Sequence, residues 1–225
     1  VLNDAGRLSR SVEDYLKAVY ALDVRGETAS TTALAEVLEV QPSSVTGMVK
    51  RLAEWGLLAH VPYRGASLTE SGRREALRVI RRHRIIETYL TEVLDYPWEE
   101  VHDEAERLEH AASDRLIAAM AQALGDPSHD PHGAPIPTAE GLVEPSTFDS
   151  LAEVAVGARI EVRAVDDKGA SELRAMESLG LLPGVEARVL ERAEDGSLAI
   201  GIGDPERRRT VDGQLAALVY VTVLD

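Results

Sequence analysis

Apolar residues in the first quarter of the chain recur at helical spacing. Tyr15, Leu16, Val19, Tyr20 and Leu22 form one stripe and predict a first helix over about residues 11–24, ended by Arg25, Gly26 and Glu27. A second helix is predicted from Thr31 or Thr32, either of which can cap it, with Leu34, Val37 and Leu38 inward. Gln41, Pro42, Ser43 and Ser44 break the pattern and cap a third helix over about residues 45–55. Its inward residues are Val45, Met48, Val49 and Leu52, and Gly56 stops it. Residues 57–61, 62–65 and 66–68 then read as strand, turn and strand. Thr69 caps a long helix that runs to about residue 94, where Asp95, Tyr96 and Pro97 interrupt it. Two more helices are predicted over about 98–110 and 113–124.

The texture changes after residue 124. Pro127, Pro131, Pro135, Pro137 and Pro145, with interspersed glycines, mark a linker or extended arm. Beyond it, residues 159–165, 185–190, 198–202 and 218–224 are short β-prone runs separated by turn residues, with one short helix over 171–179. Five or so short strands in so few residues predict a small SH3-like barrel. The expected fold is therefore mainly α with a small β module, in four parts. Residues 1–76 form a winged helix-turn-helix, 77–126 a helical module, 127–149 a proline-rich linker and 150–225 an SH3-like domain.

Composition narrows the chemistry. The 225 residues include no cysteine, which excludes disulfides, thiolate zinc sites and cysteine nucleophiles, so a metal must bind through oxygen and imidazole. Neither a signal peptide nor an apolar run of membrane-spanning length is present, and a cytoplasmic protein without a membrane partner is expected. The net charge of −15 is unevenly spread. Between residues 41 and 82 there are eight Lys or Arg against three Glu, so the helix-turn-helix region is locally basic within an acidic chain.

That basic region is the expected DNA-reading element. In a winged helix-turn-helix the third helix enters the major groove, and nearby basic groups hold phosphates. Its first turn offers Ser43, Ser44, Thr46 and Gly47 to base edges. Lys50, Arg51, Thr31, Thr32 and the wing residue Arg64 are candidates for phosphate or minor-groove contacts. Small hydroxyls lack the bidentate discrimination of Arg or Asn, so DNA shape is expected to share in specificity. A protein-interaction winged helix would carry the same elements. The clustering of basic residues around this turn and wing favours double-stranded DNA.

A second constellation lies downstream. His102, Glu106, Glu109 and His110 are spaced by three and four residues, His83 and Glu87 are four apart, and Asp14 follows Glu13 on the first helix. Such faces form metal sites when helices converge, although each group alone is more often a solvated surface residue. Glu106, Glu109 and His110 also approach a zinc-peptidase pattern. The first histidine of that pattern is replaced by Glu106, which argues against a metallohydrolase and against any enzyme.

Ser11-Val12-Glu13-Asp14-Tyr15-Leu16, Pro42-Ser43-Ser44-Val45-Thr46, Tyr63-Arg64-Gly65, Arg82-His83-Arg84, Val101-His102-Asp103-Glu104-Ala105 and Glu109-His110 together resemble the diphtheria toxin repressor family of metal-dependent regulators, including its manganese transport branch. The resemblance extends over nearly the whole chain, through an SH3-like, FeoA-like C-terminal module. It implies a homodimeric transcriptional repressor of metal homeostasis genes that binds an operator rather than a small-molecule substrate. It implies that residues 77–126 bind metal and dimerise. It also implies a primary metal site of Asp14, Glu106, Glu109 and His110, and an ancillary site of His83, Glu87, His102 and Glu172. Iron-responsive members carry Met and Cys where this chain has Asp14 and Glu106. Carboxylates there favour a harder ion, Mn(II), with Fe(II) the alternative. The manganese branch has an acidic ligand where this chain has Lys17, which favours two separate sites over a paired centre. A metal-independent winged-helix regulator with a structural His and Glu cluster is the competing reading.

Overall fold

The structure is a computed structural model and describes residues 8–61, 65–144, 147–167 and 169–224. Its contacts divide the chain into two compact units. The first comprises Val1–Arg82, Glu109–Ala112 and Pro137–Val143, and the second His83–Leu108, Ser113–Ile136 and Glu144–Asp225.

In the first unit, α1 (Arg10–Val24), α2 (Thr31–Val37) and α3 (Pro42–Glu54) are followed by the hairpin β1 (Leu58–Val61) and β2 (Gly65–Leu68). The start of α4 (Glu70–Leu94) completes it. Val12, Tyr15, Leu16, Val19 and Leu22 of α1 pack with Leu34, Val45, Val49, Leu52, Leu58 and Leu77 into one core. Burying each large aliphatic side chain there contributes roughly 1.5–3 kcal/mol.

Two helix starts differ from the sequence expectation. The cap of α2 is Ser30, whose hydroxyl accepts a hydrogen bond from the Ala33 amide, so Thr31 and Thr32 open the helix instead of capping it. Helix α3 begins at Pro42, where the missing amide hydrogen would have had no partner, so Ser43 and Ser44 sit inside its first turn. The Thr69 cap is as expected, its hydroxyl accepting from the Gly72 amide at 3.1 Å.

The hairpin pairs Leu58 with Leu68 and Val61 with Gly65. Its second strand is tied to the segment before α2 by the Ala66 amide, which donates to the Ala29 carbonyl at 3.0 Å. At Gly65 (φ +82°) a Cβ would stand 2.8 Å from that carbonyl oxygen, so both the conformation and the close approach require glycine. Residues 62–64, including the wing candidate Arg64, lie outside the described residues.

The second unit carries the rest of α4 with α5 (Val101–Leu108), α6 (Asp114–Ala123), β3 (Asp149–Ser150), β4 (Arg159–Val165), α7 (Ala170–Leu179), β5 (Glu186–Arg192), β6 (Leu198–Ile202), β7 (Arg207–Val211), α8 (Gly213–Ala217) and β8 (Val219–Leu224). The six strands form one antiparallel sheet in the order β3-β8-β4-β5-β6-β7. Leu151, Ile160, Val162, Leu173, Met176, Leu181, Val189, Leu198, Ile200 and Val221 fill its core.

Trp98 also belongs to this core. Pro97 and Glu100 close a turn through a 2.9 Å backbone hydrogen bond, so the helix expected from residue 98 starts only at Val101. It ends at Leu108, which leaves Glu109 and His110 in the turn that follows.

The proline-rich stretch is not a solvated arm throughout. Asp130 accepts hydrogen bonds at 2.9 Å from the amides of His132 and Ala134, and its other oxygen lies 3.4 Å from Arg84 Nε. The His132 ring stacks on Trp98 at 5.4 Å, and Asp130, His132 and Ile136 are buried. Prolines here shape a packed turn. Among the described residues no helix is long and apolar enough to cross a membrane.

Candidate metal centres and nucleic-acid interface

The first unit draws Asp14, Glu109 and His110 together, each offering a ligand atom within 4.8 Å of the others. Helix α1 projects Asp14, and the turn after α5 presents Glu109 and His110. His110 Nε2 stands 2.9 Å from Asp14 Oδ1 and 3.3 Å from Glu109 Oε1. That nitrogen is buried with two carboxylate oxygens in reach, a setting that suits an atom whose partner is a cation. On the other side of the ring, His110 Nδ1 lies 2.6 Å from Glu13 Oε2, and Glu13 Oε1 accepts from Arg82 Nη1 at 3.1 Å. Lys17 Nζ donates to Glu109 Oε1 at 2.8 Å.

These neighbours set the ionisation. Burial works to keep the His110 imidazole neutral, but hydrogen bonds to Asp14 and Glu13 and the charges of Glu109 and Asp14 prevail and push its pKa up to about 9. Burial works to raise the Glu13 carboxyl. The His110 hydrogen bond and the Arg82 guanidinium outweigh it and hold Glu13 below the usual range.

The second unit gathers His83, Glu87, His102 and Asp167, again with ligand atoms within 4.8 Å. Glu87 Oε1 lies 2.9 Å from His83 Nε2 and 3.3 Å from His102 Nδ1, which in turn is 3.4 Å from Asp167 Oδ2. Glu87 is fully buried, and its Oε2 has no hydrogen-bond partner among the described residues. Such an atom is costly unless something positive meets it. Burial works to lower the His102 pKa, yet hydrogen bonds and charge from Asp167 and Glu87 raise it to about 10.

The acid contributed by the C-terminal module is Asp167, in the loop after β4, and not Glu172. Glu172 opens α7 and accepts a hydrogen bond from Ser171. Glu106 is on α5 in the second unit, its Oε1 3.7 Å from His83 Nδ1. Sequence reasoning passed over Glu13 and Asp167. The visible signals were the Glu13-Asp14 and Asp166-Asp167 doublets, which do not say which acid faces which partner.

Both clusters consist of carboxylate oxygen and imidazole nitrogen alone. Such a donor set fits a hard or borderline divalent ion, and so do the buried atoms His110 Nε2, with two carboxylates in reach, and Glu87 Oε2, unpartnered among the described residues.

On α3, Ser43, Ser44, Thr46, Gly47, Lys50 and Arg51 are all exposed, as are Thr31 and Thr32 on α2. Among the described residues, nothing beyond the helix's own adjoining backbone comes within 4 Å of a Cβ placed at Gly47, so the helix surface is open there. The Arg51 guanidinium lies 6.0 Å from the centre of the Trp55 ring.

Comparison with known proteins covers almost all of the chain. Residues 7–66 match the iron dependent repressor N-terminal DNA binding domain, residues 69–138 the iron dependent repressor metal binding and dimerisation domain, and residues 150–223 the FeoA domain. The iron-dependent repressor IdeR of Mycobacterium tuberculosis is 40% identical over 134 residues, covering 60% of this chain and 57% of its own length. The diphtheria toxin repressor of Corynebacterium diphtheriae is 36% identical over 132 residues, covering 59% and 58%. These matches thus span little more than half the length of the curated relatives. A solved manganese-dependent transcriptional repressor in complex with manganese is 38% identical with a TM-score of 0.88, covering 95% of this chain and 100% of its own. The manganese regulator SloR is 32% identical with a TM-score of 0.75, covering 95% and 98%.

Proposed function

The chain belongs to the iron-dependent repressor family, and on that footing we propose that it is a Mn(II)- or Fe(II)-dependent transcriptional repressor of metal homeostasis genes. The family is one of transcriptional regulators, not enzymes, and the metallohydrolase reading falls away. The observation that carries the proposal is the convergence of Asp14, Glu109 and His110, with the buried His110 Nε2 facing carboxylate oxygens of the other two.

Asp14, Glu109 and His110 hold the primary ion, with Glu106 as a fourth ligand from its spacing three residues before Glu109. His83, Glu87 and His102 hold the ancillary one, completed by Asp167. An all-oxygen-and-nitrogen set favours Mn(II) over softer-site metals, while cellular metal supply decides between Mn(II) and Fe(II). When bound, the ion supplies the positive charge and the cross-link that carboxylates on α1 and around α5 lack by themselves. Lys17 and a charged His110 offset the repulsion among Asp14, Glu106 and Glu109 only in part, so the metal-free protein leaves the DNA-binding part free to reorient. With that repulsion cancelled, two recognition helices of a homodimer are fixed about 34 Å apart, one turn of DNA. Val93, Leu94, Leu108 and Leu116 on the helices of the second unit, with Tyr96 just after α4, are exposed apolar residues and supply the surface for dimer formation. Ser43, Ser44, Thr46 and Gly47 face the operator, and Lys50 and Arg51 meet phosphates.

The test is an operator shift assay on metal-stripped protein against a series of Mn(II), Fe(II), Ni(II) and Zn(II). Metal-dependent retardation is expected, with Mn(II) or Fe(II) effective, and coupling requires operator DNA to tighten metal binding in return. Glu106→Ala should lose the response. If that variant bound operator normally without metal dependence, the mechanism would be wrong, and full retardation of stripped wild-type protein would favour a metal-independent regulator. Replacing Lys50 and Arg51 together by Glu should weaken binding across all sequences and reduce the salt slope by about 2.

A further inference from the structure

Consecutive residues of α1 approach the two nitrogens of one imidazole: Asp14 Oδ1 lies 2.9 Å from His110 Nε2, and Glu13 Oε2 lies 2.6 Å from Nδ1. Glu13 is buried, and both its oxygens are engaged, one by His110 and the other by the buried Arg82. It therefore does not serve as a ligand. A buried Glu and Arg pair is an expensive way to fill space, since apolar side chains of similar volume are usually as stable or more so. What the pair supplies and apolar residues would not is a fixed, charged acceptor facing one ring nitrogen.

We propose that Glu13, held by Arg82, is a positioning residue for the primary metal centre: it takes the Nδ1 hydrogen of His110 and thereby commits Nε2 to the ion. A neutral imidazole carries one hydrogen, and placing it on Nδ1 leaves the Nε2 lone pair directed at the space that Asp14 and Glu109 border. Hydrogen bonding of a ligating histidine to a carboxylate also raises its basicity as a ligand, and losing such a partner typically costs 10–100-fold in metal affinity. Arg82 keeps Glu13 ionised and in place, so the orientation of a ligand on the turn after α5 depends on a side chain of α4.

This inference rests on the metal-dependent reading above, and its test is arranged so that the two can fail separately. Mn(II) binding is followed by the electron paramagnetic resonance signal of the free ion, in full-length protein carrying His102→Ala so that the primary centre is read alone. Thermal melting of the metal-free protein is recorded in parallel. Glu13→Gln is expected to weaken Mn(II) binding 10–100-fold, and Glu13→Asp to recover part of the loss. Should Glu13→Gln fail to fold because Arg82 is left buried and unpaired, the double variant Glu13→Gln/Arg82→Gln removes that charge and gives the same readout. A folded Glu13→Gln or double variant with the affinity of its His102→Ala parent overturns the positioning role while leaving the repressor reading intact. If unmodified protein takes up no Mn(II), the metal-dependent reading itself fails and the proposal with it.

Discussion

The two histidine and carboxylate clusters use the same side-chain chemistry but balance their charge differently. In the first, Lys17 donates to Glu109 and Arg82 to Glu13, so two permanent cations stand among the acids before any metal arrives. In the second, Glu87 and Asp167 are met by His83 and His102. One cluster is balanced mainly by cations that stay charged at any ordinary pH, the other by protons on imidazole. Metal must displace an ammonium contact and the His110 proton in the first, and imidazole protons alone in the second. The two centres should therefore respond to different conditions although both present oxygen and nitrogen donors.

The sharpest way to break this comparison is His110→Ala. It should reduce Mn(II) affinity at the first cluster by at least about 100-fold, beyond the range for outer-shell partners, and abolish metal-dependent operator retardation, with the second cluster still binding by calorimetry. A loss at both clusters would show that they are not independent.

Acidity comes next. The folded-state pKa values of His102 and His110 stand at about 10 and about 9, above the ordinary 6.5. Their ion pairs thus stabilise the metal-free protein fully below pH 6.5, and that contribution fades as the pH rises towards 9 or 10. Metal binding must expel the same protons, so Mn(II) affinity should rise by up to about tenfold per pH unit for each histidine over this window. Calorimetry in buffers of different ionisation enthalpy would count the protons released.

A smaller effect separates the acids of the C-terminal module. Asp167→Asn should weaken the second cluster about tenfold, within the 10–100-fold cost of perturbing a metal site, whereas Glu172→Gln should leave it unchanged in the same titration. Equal effects would remove the distinction between them. Smallest is Lys17→Gln: freeing Glu109 from its ammonium should tighten Mn(II) binding a few-fold at the first cluster only. The metal-free melting temperature should fall at the same time, because the fully buried Glu109 carboxylate loses a charged partner, at a cost on the order of 1–3 kcal/mol.

Much of the fold was legible because burial on one face leaves a period in the sequence. The stripe of Tyr15, Leu16 and Val19 marked α1, and the Thr69 cap with the break at Asp95, Tyr96 and Pro97 bounded α4. Strand β7 carries Arg207, Arg208 and Arg209 at the sheet edge. Only Val211 is buried, so no alternation announced it. The expected helix from residue 98 shortened because Trp98 packs under the sheet, a tertiary contact that local periodicity cannot register. In the sites, helical spacing singled out His83 with Glu87, and His102 and Glu106 with Glu109 and His110. The choice of Asp167 over Glu172 depends on where β4 ends against its neighbours. The importance of Glu13 depends on a histidine 97 positions away.

The packed turn at residues 128–136 bears on how this protein can be cut. Pro131 and Pro135 within it, and Pro127 and Pro137 at its edges, invite a truncation or a protease site there. The carbonyl of His132 accepts from the Val165 amide at 2.9 Å, and Ile136 and Asp130 are buried, so this stretch is part of the second unit's interior. Cleavage there requires local unfolding first, and the turn should survive limited proteolysis that its composition suggests it would not. A fragment boundary drawn through it would open the core around Trp98, so the C-terminal module should be expressed with the turn attached.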